Sequence, residues 1–221
     1  IEILRKMLER YKSVSLTGLP QLGQLFGMWG YELIQWIEPS VPIHELSEQD
    51  LPDGIWMFMD KILIFDQVKR LITAVAYGNV SDGISPEKAY EIAYGQINEL
   101  QDLMAAPLKP IKAIKWSEKG NRSLNSSCNT TQNEFEQSVK EAKEFIKKGD
   151  VFQLVLSQKL ESIVQQKPFE LYRSLRMVNP SPFMAFFDFG DWQLIGSSPE
   201  VMVKAQQTEK GIQACLRPIA G

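Results

Sequence analysis

The chain has 221 residues, of which 44% are hydrophobic and 23% are charged, and its formal net charge is −3. This composition is ordinary for a soluble globular protein with one large domain or two smaller ones. The acidic balance argues against nucleic-acid binding, and no apolar run approaches the roughly 20 residues that a membrane span needs.

The first region, residues 1–116, contains mixed helical and strand patterns. An amphipathic helix is predicted from Ile3 to Tyr11, because its apolar residues recur at helical spacing. Ser85 and Pro86 are typical of a helix start. The further predicted elements are a strand leading into a short helix over 22–36, an antiparallel hairpin of strands 55–65 and 70–77 around residues 66–69, and a helix over 86–104.

Residues 117–132 are rich in Asn and Ser and have no apolar periodicity, which is typical of a linker. We therefore predict a domain boundary in this segment. Two cysteines, Cys128 and Cys215, are too few for a disulfide framework or a zinc site.

The second region, residues 133–221, begins with a clear helix signal. Thr131 and Glu134 have the spacing of a capping box, and Gly149 is placed to end the helix. The further predicted elements are a helix over 168–177 and strands at 151–160, 183–189, 192–197, 200–206 and 212–217. Gly190–Asp191 is predicted to form the turn between the second and third of these strands, and residues 208–211 the turn before the last. Strands in neighbouring hairpins with peripheral helices predict an α+β fold with antiparallel sheets.

Four short motifs follow one another in this second region. They are Gly149–Gln158 (GDVFQLVLSQ), Asn179–Phe186 (NPSPFMAF), Gly196–Glu200 (GSSPE) and Leu216–Gly221 (LRPIAG). In this order they resemble the chorismate-utilising enzymes and, within that family, the large subunits of anthranilate synthase. The resemblance implies two packed antiparallel β-sheets flanked by helices, with the active site in the cleft between them.

Gln153 is the first position that the resemblance makes informative. Alternation along the predicted strand 151–160 places Gln153 and Ser157 on its more polar face. From the residues alone, a glutamine on a half-exposed strand is unremarkable. In relatives that add water to chorismate the matching residue is a lysine base. A neutral amide cannot deprotonate water, so Gln153 favours ammonia as the nucleophile.

Ala220 and Gly221 are the next two such positions. At the position of Ala220, aminodeoxychorismate synthases of the family often have a lysine that attacks the substrate. Alanine has no nucleophilic group, so Ala220 favours direct attack by ammonia, as in anthranilate synthases. The glycine that matches Gly221 binds a substrate carboxylate in the family. Backbone N–H groups beside a glycine can approach an anion closely.

Pro182, Phe183 and Met184 match the segment that lines the tryptophan feedback site in anthranilate synthases. From the residues alone, this segment is a loop that leads into a strand. An apolar, aromatic slot suits an indole ring. The family more often has tyrosine at the position of Phe183.

The resemblance implies a cytoplasmic lyase, or one of the plastid stroma in a photosynthetic eukaryote, with chorismate as substrate. It implies Mg²⁺ bound by residues beyond Gly221, ammonia supplied by a glutamine amidotransferase subunit, and inhibition by tryptophan. We expect the chain to be a fragment truncated at both ends and inactive alone. The alternatives are an aminodeoxychorismate or aminodeoxyisochorismate synthase, and a non-catalytic amino-acid-binding regulatory module.

Overall fold

The computed structural model describes residues 2–14, 16, 19, 23–42, 51–80, 83–108, 110–111, 113 and 126–217. The chain divides into two compact units, Ile1–Ile111 and Lys112–Gly221, and each is described by itself below. The strands of the described residues form five antiparallel pairs, accompanied by helices, which confirms the predicted α+β class. None of the described helices has the length and apolar character needed to cross a membrane. Most of the predicted linker 117–132 lies outside the described residues.

The first unit contains four strands, three α-helices and one 3₁₀ turn in its described part. Its elements are α1 (Glu2–Arg10), β1 (Leu25–Trp29), the 3₁₀ turn Tyr31–Leu33, α2 (Ile34–Ile37), β2 (Gly54–Phe58), β3 (Lys61–Asp66), β4 (Leu71–Ala76) and α3 (Pro86–Ala105). The strand leading into a short helix over 22–36 is thereby confirmed.

The predicted strand 55–65 is wrong in one respect, because it is two strands with different partners. β2 pairs with β1, and β3 pairs with β4 in the predicted hairpin. The change of partner falls at two backbone hydrogen bonds. The Met59 N–H donates to the Gln24 carbonyl oxygen at 2.7 Å, and the Tyr77 N–H donates to the Asp60 carbonyl oxygen at 2.9 Å. The charged pair Asp60 and Lys61 interrupts the apolar run at this switch, but two charged residues do not by themselves specify a change of partner.

Helix α3 packs against β4 and β3 and supplies much of the buried core of this unit. The side chain of Ser85 accepts a hydrogen bond from the Lys88 N–H, as the cap signal predicts. Val75 of β4 and the helix residues Ala89 and Leu100 are buried. The Lys61 ammonium pairs with the Glu99 carboxylate at 2.6 Å and so ties β3 to the exposed side of α3.

The second unit contains six strands and two helices in its described part. Its elements are β5 (Ser126–Cys128), α4 (Gln132–Lys148), β6 (Leu160–Ser162), α5 (Pro168–Val178), β7 (Phe183–Asp188), β8 (Gln193–Ser198), β9 (Lys204–Thr208) and β10 (Gly211–Cys215). β5 lies inside the segment predicted as linker and pairs with β6.

Helix α4 has the predicted capping box. The Thr131 hydroxyl accepts from the Glu134 N–H at 3.3 Å, and the Glu134 carboxylate accepts from the Thr131 N–H at 2.9 Å. Hydrogen bonds from the Thr131 backbone and hydroxyl hold the pKa of Glu134 below its ordinary value. Gly149 ends the helix in the left-handed conformation, with φ 82°.

The strands after α5 form two hairpins. β7 and β8 meet at the predicted Gly190–Asp191 turn, where Gly190 has φ 91°. β9 and β10 meet at Glu209–Lys210, also as predicted. β9 starts at Lys204 rather than at 200, because the Ser198 hydroxyl and the backbone of Glu200 form a turn first.

The predicted strand 151–160 is wrong over nearly its whole length, because only Leu160 of that range belongs to a strand. The alternation is not seen in the burial either, since Phe152 is 95% exposed and Val155 is 71% exposed. A strand needs a partner for its backbone groups. In the described part of the chain, the partner available is β5, which reaches only Leu160–Ser162.

Candidate functional site

The segment between α5 and β7 positions the residues predicted for effector binding. The Asn179 N–H donates to the Leu175 carbonyl oxygen at 2.8 Å and closes the last turn of α5. Pro180 and Pro182 then fix two φ angles and remove two backbone donors. The chain therefore leaves the helix on a stiff path and enters β7 at Phe183.

A small network of hydroxyls joins this segment to β8. Ser197 Oγ lies 2.6 Å from the Asn179 carbonyl oxygen and 3.0 Å from Ser181 Oγ. Ser181 Oγ in turn lies 3.5 Å from the sulfur of Met184. Two motifs that are separate in the sequence, NPSPFM and GSSPE, thus meet in one place. Sequence reasoning missed this contact, because neither serine has a pattern that identifies its partner.

The hairpin β7–β8 separates the predicted effector residues onto two faces. Phe186 packs against α5, with its ring centroid 5.3 Å from Phe169 and 5.8 Å from Tyr172. Met184 lies two residues away and shares that face, whereas Phe183 lies on the opposite face. The three residues Pro182, Phe183 and Met184 therefore do not form one continuous surface.

On the face that carries Phe183, two small residues lie between two aromatic residues in the strand register. Ala185 lies directly across from Gly196, and Phe187 lies across from Leu194. We call this strip, from Phe183, which is 46% exposed, to Phe187, the recess, because alanine and glycine have the smallest side chains. Small apolar residues beside aromatic ones have the chemistry that suits a flat ring.

Gln153 is exposed and lies in the irregular segment after α4. Its neighbour Phe152 is also exposed, so strand alternation gives no basis for placing the Gln153 amide in a cleft. The role expected of Gln153 thus depends on the resemblance alone.

Ala220 and Gly221 lie outside the described residues, as does His44. The described chain ends at Arg217, which is exposed. The roles predicted for Ala220 and Gly221 remain predictions.

The carboxylate of Asp188 lies at the turn of the hairpin. Hydrogen bonds from the Gln193 amide and the Gly190 N–H hold the pKa of Asp188 below its ordinary value. Asp188 and Phe183 are at opposite ends of β7, so this carboxylate stabilises the turn and does not reach the recess. Among the described residues, no three Asp, Glu, His or Cys side chains are grouped closely enough to hold a metal ion.

The ordered motifs resemble those of the chorismate-utilising enzymes, and comparison with known proteins supports this resemblance directly. The family of chorismate binding enzymes matches residues 2–221, and the chain belongs to this family.

Several relatives of the chain are named as the same protein, anthranilate synthase component 1. The chain is 47% identical over its whole length to anthranilate synthase component 1 of Synechocystis sp., of which it covers 45%. It is 35% identical to the protein of the same name from Acetivibrio thermocellus and covers 44% of it. The crystal structure of anthranilate synthase component I from Streptococcus pneumoniae superposes on 92% of the chain, with a TM-score of 0.75 and 30% identity. The chain spans about half the length of these relatives, and its match covers 45% of the chain in the solved structure.

Proposed function

We propose that the protein carrying this chain converts chorismate and ammonia to anthranilate and pyruvate, the first step of tryptophan biosynthesis. The observation that carries the proposal is the 47% identity along the whole chain to an anthranilate synthase component 1. The similarity at the level of the fold, with a TM-score of 0.75 to a protein of the same name, agrees with it. These relatives do not favour an aminodeoxychorismate synthase or a non-catalytic regulatory module.

In this reaction ammonia adds to C2 of chorismate and the C4 hydroxyl leaves, after which pyruvate is eliminated to give the aromatic ring. Gln153 suits this nucleophile because a neutral amide can accept or donate a hydrogen bond without acting as a base toward water. Ala220 leaves no side chain for covalent attack on the substrate. Gly221 would contribute backbone donors to a carboxylate of the dianionic substrate.

Ammonia would come from a glutamine amidotransferase subunit. Glutamine hydrolysis of this kind needs a thiol activated by a nearby base. The sequence has a single histidine, His44, and Cys128 lies in an exposed strand of the second unit. In the described part of the chain, Cys128 and Cys215 are both exposed and have no histidine beside them, so we expect a cytoplasmic or plastid partner protein to supply the glutaminase site.

Mg²⁺ would bridge a carboxylate of chorismate and protein carboxylates, for which its preference for oxygen ligands suits it. The described residues do not provide such a ligand set. We expect the ligands to belong to parts of the protein other than those described.

Tryptophan would act as feedback inhibitor through the recess bordered by Phe183. The indole ring would lie on the floor formed by Ala185 and Gly196. Met184 would contribute indirectly, because it lies on the face that packs against α5.

The test is an assay of the full-length protein with chorismate, Mg²⁺ and ammonium, with the products separated by chromatography. We expect anthranilate, and inhibition of its formation by tryptophan. Formation of aminodeoxychorismate or isochorismate as the main product would contradict the proposal. As a control, the 221-residue chain alone is expected to form no anthranilate above background.

A further inference from the structure

Ser197 occupies a position from which one hydroxyl can hold the whole α5–β7 connection. It lies opposite Met184 in the β7–β8 register, yet its Oγ reaches the Asn179 carbonyl oxygen at 2.6 Å. That distance is short for a hydrogen bond between a hydroxyl and a carbonyl. Since a hydroxyl has one proton, Ser197 donates to Asn179 and can accept from Ser181, 3.0 Å away.

The connection needs such an anchor because its other constraints are incomplete. Pro180 and Pro182 fix their own φ angles and favour extended conformations before them, but they donate no backbone hydrogen bonds. Asn179 has φ −137° and ψ 69°, outside the helical region, and so marks the point where the chain changes direction. The contact from Ser197 fixes this point from across the hairpin.

We propose that Ser197 is a positioning residue for the recess bordered by Phe183. By holding the Asn179 carbonyl, it sets the direction in which Pro182 and Phe183 enter β7, without itself touching a ligand in the recess. Its side chain belongs to the face that carries Met184, whereas the Phe183 ring lies on the other face. This inference rests on the proposed function only in the identity of the ligand, tryptophan.

Ser138 on α4 provides a matched control. Its hydroxyl donates to the Glu134 carbonyl oxygen at 3.0 Å, a contact of the same kind as that of Ser197. Ser198 is unsuitable, because it lies directly across from Phe183 in the strand register. Ser197→Ala and Ser138→Ala each remove a hydroxyl that donates to a backbone carbonyl, and only the first breaks the contact to Asn179.

The first measurement does not depend on the function. The ring of Phe183, labelled with carbon-13, serves as an NMR probe, because it lies on the face opposite the Ser197 hydroxyl and reports the path of the chain rather than the lost group. We expect Ser197→Ala to shift or broaden this resonance, Ser197→Thr to restore it, and Ser138→Ala to leave it unchanged. If Ser197→Ala leaves the Phe183 resonance where Ser138→Ala leaves it, the positioning role is wrong.

The second measurement is the affinity of the full-length protein for tryptophan, determined by isothermal titration calorimetry. Loss of one hydrogen bond of ordinary strength corresponds to a change of about two- to tenfold in affinity. We expect Ser197→Ala to weaken tryptophan binding by this factor, with rescue by Ser197→Thr and a change of less than twofold in Ser138→Ala. Unchanged affinity in Ser197→Ala would overturn the proposal. If the wild type does not bind tryptophan, the feedback assignment is wrong, and the NMR experiment still decides the role of Ser197.

Discussion

Gly27 in β1 is the position where the structure makes the sharpest prediction about stability. A Cβ atom added there would lie against the Ile55 carbonyl oxygen, 2.8 Å from Trp56 Cα and 2.9 Å from the Trp56 ring. Two of these three atoms belong to the backbone of β2 and cannot rotate away. Gly27→Ala should therefore force β1 and β2 apart.

The magnitude follows from the cost of overpacking, which is about 1–3 kcal/mol when a methyl group has no room. We expect the upper part of this range, because backbone atoms are involved. Gly196→Ala is the matched control, since its Cβ would meet only the Ala185 Cβ, at an ordinary 3.7 Å. Alanine is about 0.5–1 kcal/mol better than glycine within a strand, so this control should be neutral or stabilising.

The assay is urea denaturation followed by tryptophan fluorescence. Trp29 and Trp56 form an edge-to-face pair in the first unit, whereas Trp192 lies in the second unit and reports on the control variant. With an m-value of about 2 kcal/mol per molar urea, a loss of about 2 kcal/mol lowers the midpoint by about 1 M. A midpoint for Gly27→Ala that equals the wild-type value would refute the close approach of β1 and β2.

Further predictions concern four side chains. Gln153→Lys in the full-length protein should lower the rate of ammonia-dependent anthranilate formation at least about tenfold, which corresponds to a rise of about 1.4 kcal/mol in the activation barrier. A steady-state rate within twofold of wild type would contradict the role of this amide. Thr131→Ala should cost about 1 kcal/mol by removing the cap of α4, measured as a lower denaturation midpoint. The pKa of Glu134 is lowered in the folded chain, so its contribution to stability should be complete at pH values above its ordinary pKa of 4.5 and should disappear as the pH falls through the lowered pKa. Measuring the free energy of unfolding of the wild type and of Glu134→Gln as a function of pH would detect this loss. Ser197→Ala should cost about 0.5–1.5 kcal/mol, toward the lower end because water can reach the exposed Asn179.

Local signals in the sequence predicted much of the secondary structure. The capping box at Thr131 and Glu134, the helix start at Ser85 and the turn at Gly190 each depend on residues within a few positions of one another. In such cases the chemistry that forms the element is visible in the sequence itself.

Pairing over longer distances could not be predicted in the same way. Asp60 and Lys61 interrupt the run 55–65 between β2 and β3, but they do not identify the partners of the two strands, because the switch is set by contacts to Gln24 and Tyr77. The alternating segment around Gln153 is compatible with a strand, yet a strand also requires a partner with free backbone groups.

The candidate site was predictable only in part, for a related reason. The motif around Phe183 predicted an effector site there, which stays a prediction, but it did not predict that Met184 lies on the other face of the hairpin or that Ser197 donates to the Asn179 carbonyl oxygen. The hydroxyl of Ser197 contacts a carbonyl 18 residues away, and nothing in the local sequence specifies that partner.

The central claim is that the protein uses ammonia rather than water as the nucleophile toward chorismate. The most direct test incubates the full-length protein with chorismate, Mg²⁺, ammonium enriched in heavy nitrogen and water enriched in heavy oxygen, and analyses the products by mass spectrometry. We predict anthranilate that carries the heavy nitrogen, with no hydroxylated product that has gained heavy oxygen at C2. A product labelled with oxygen at C2, such as isochorismate, in place of labelled anthranilate would contradict the claim.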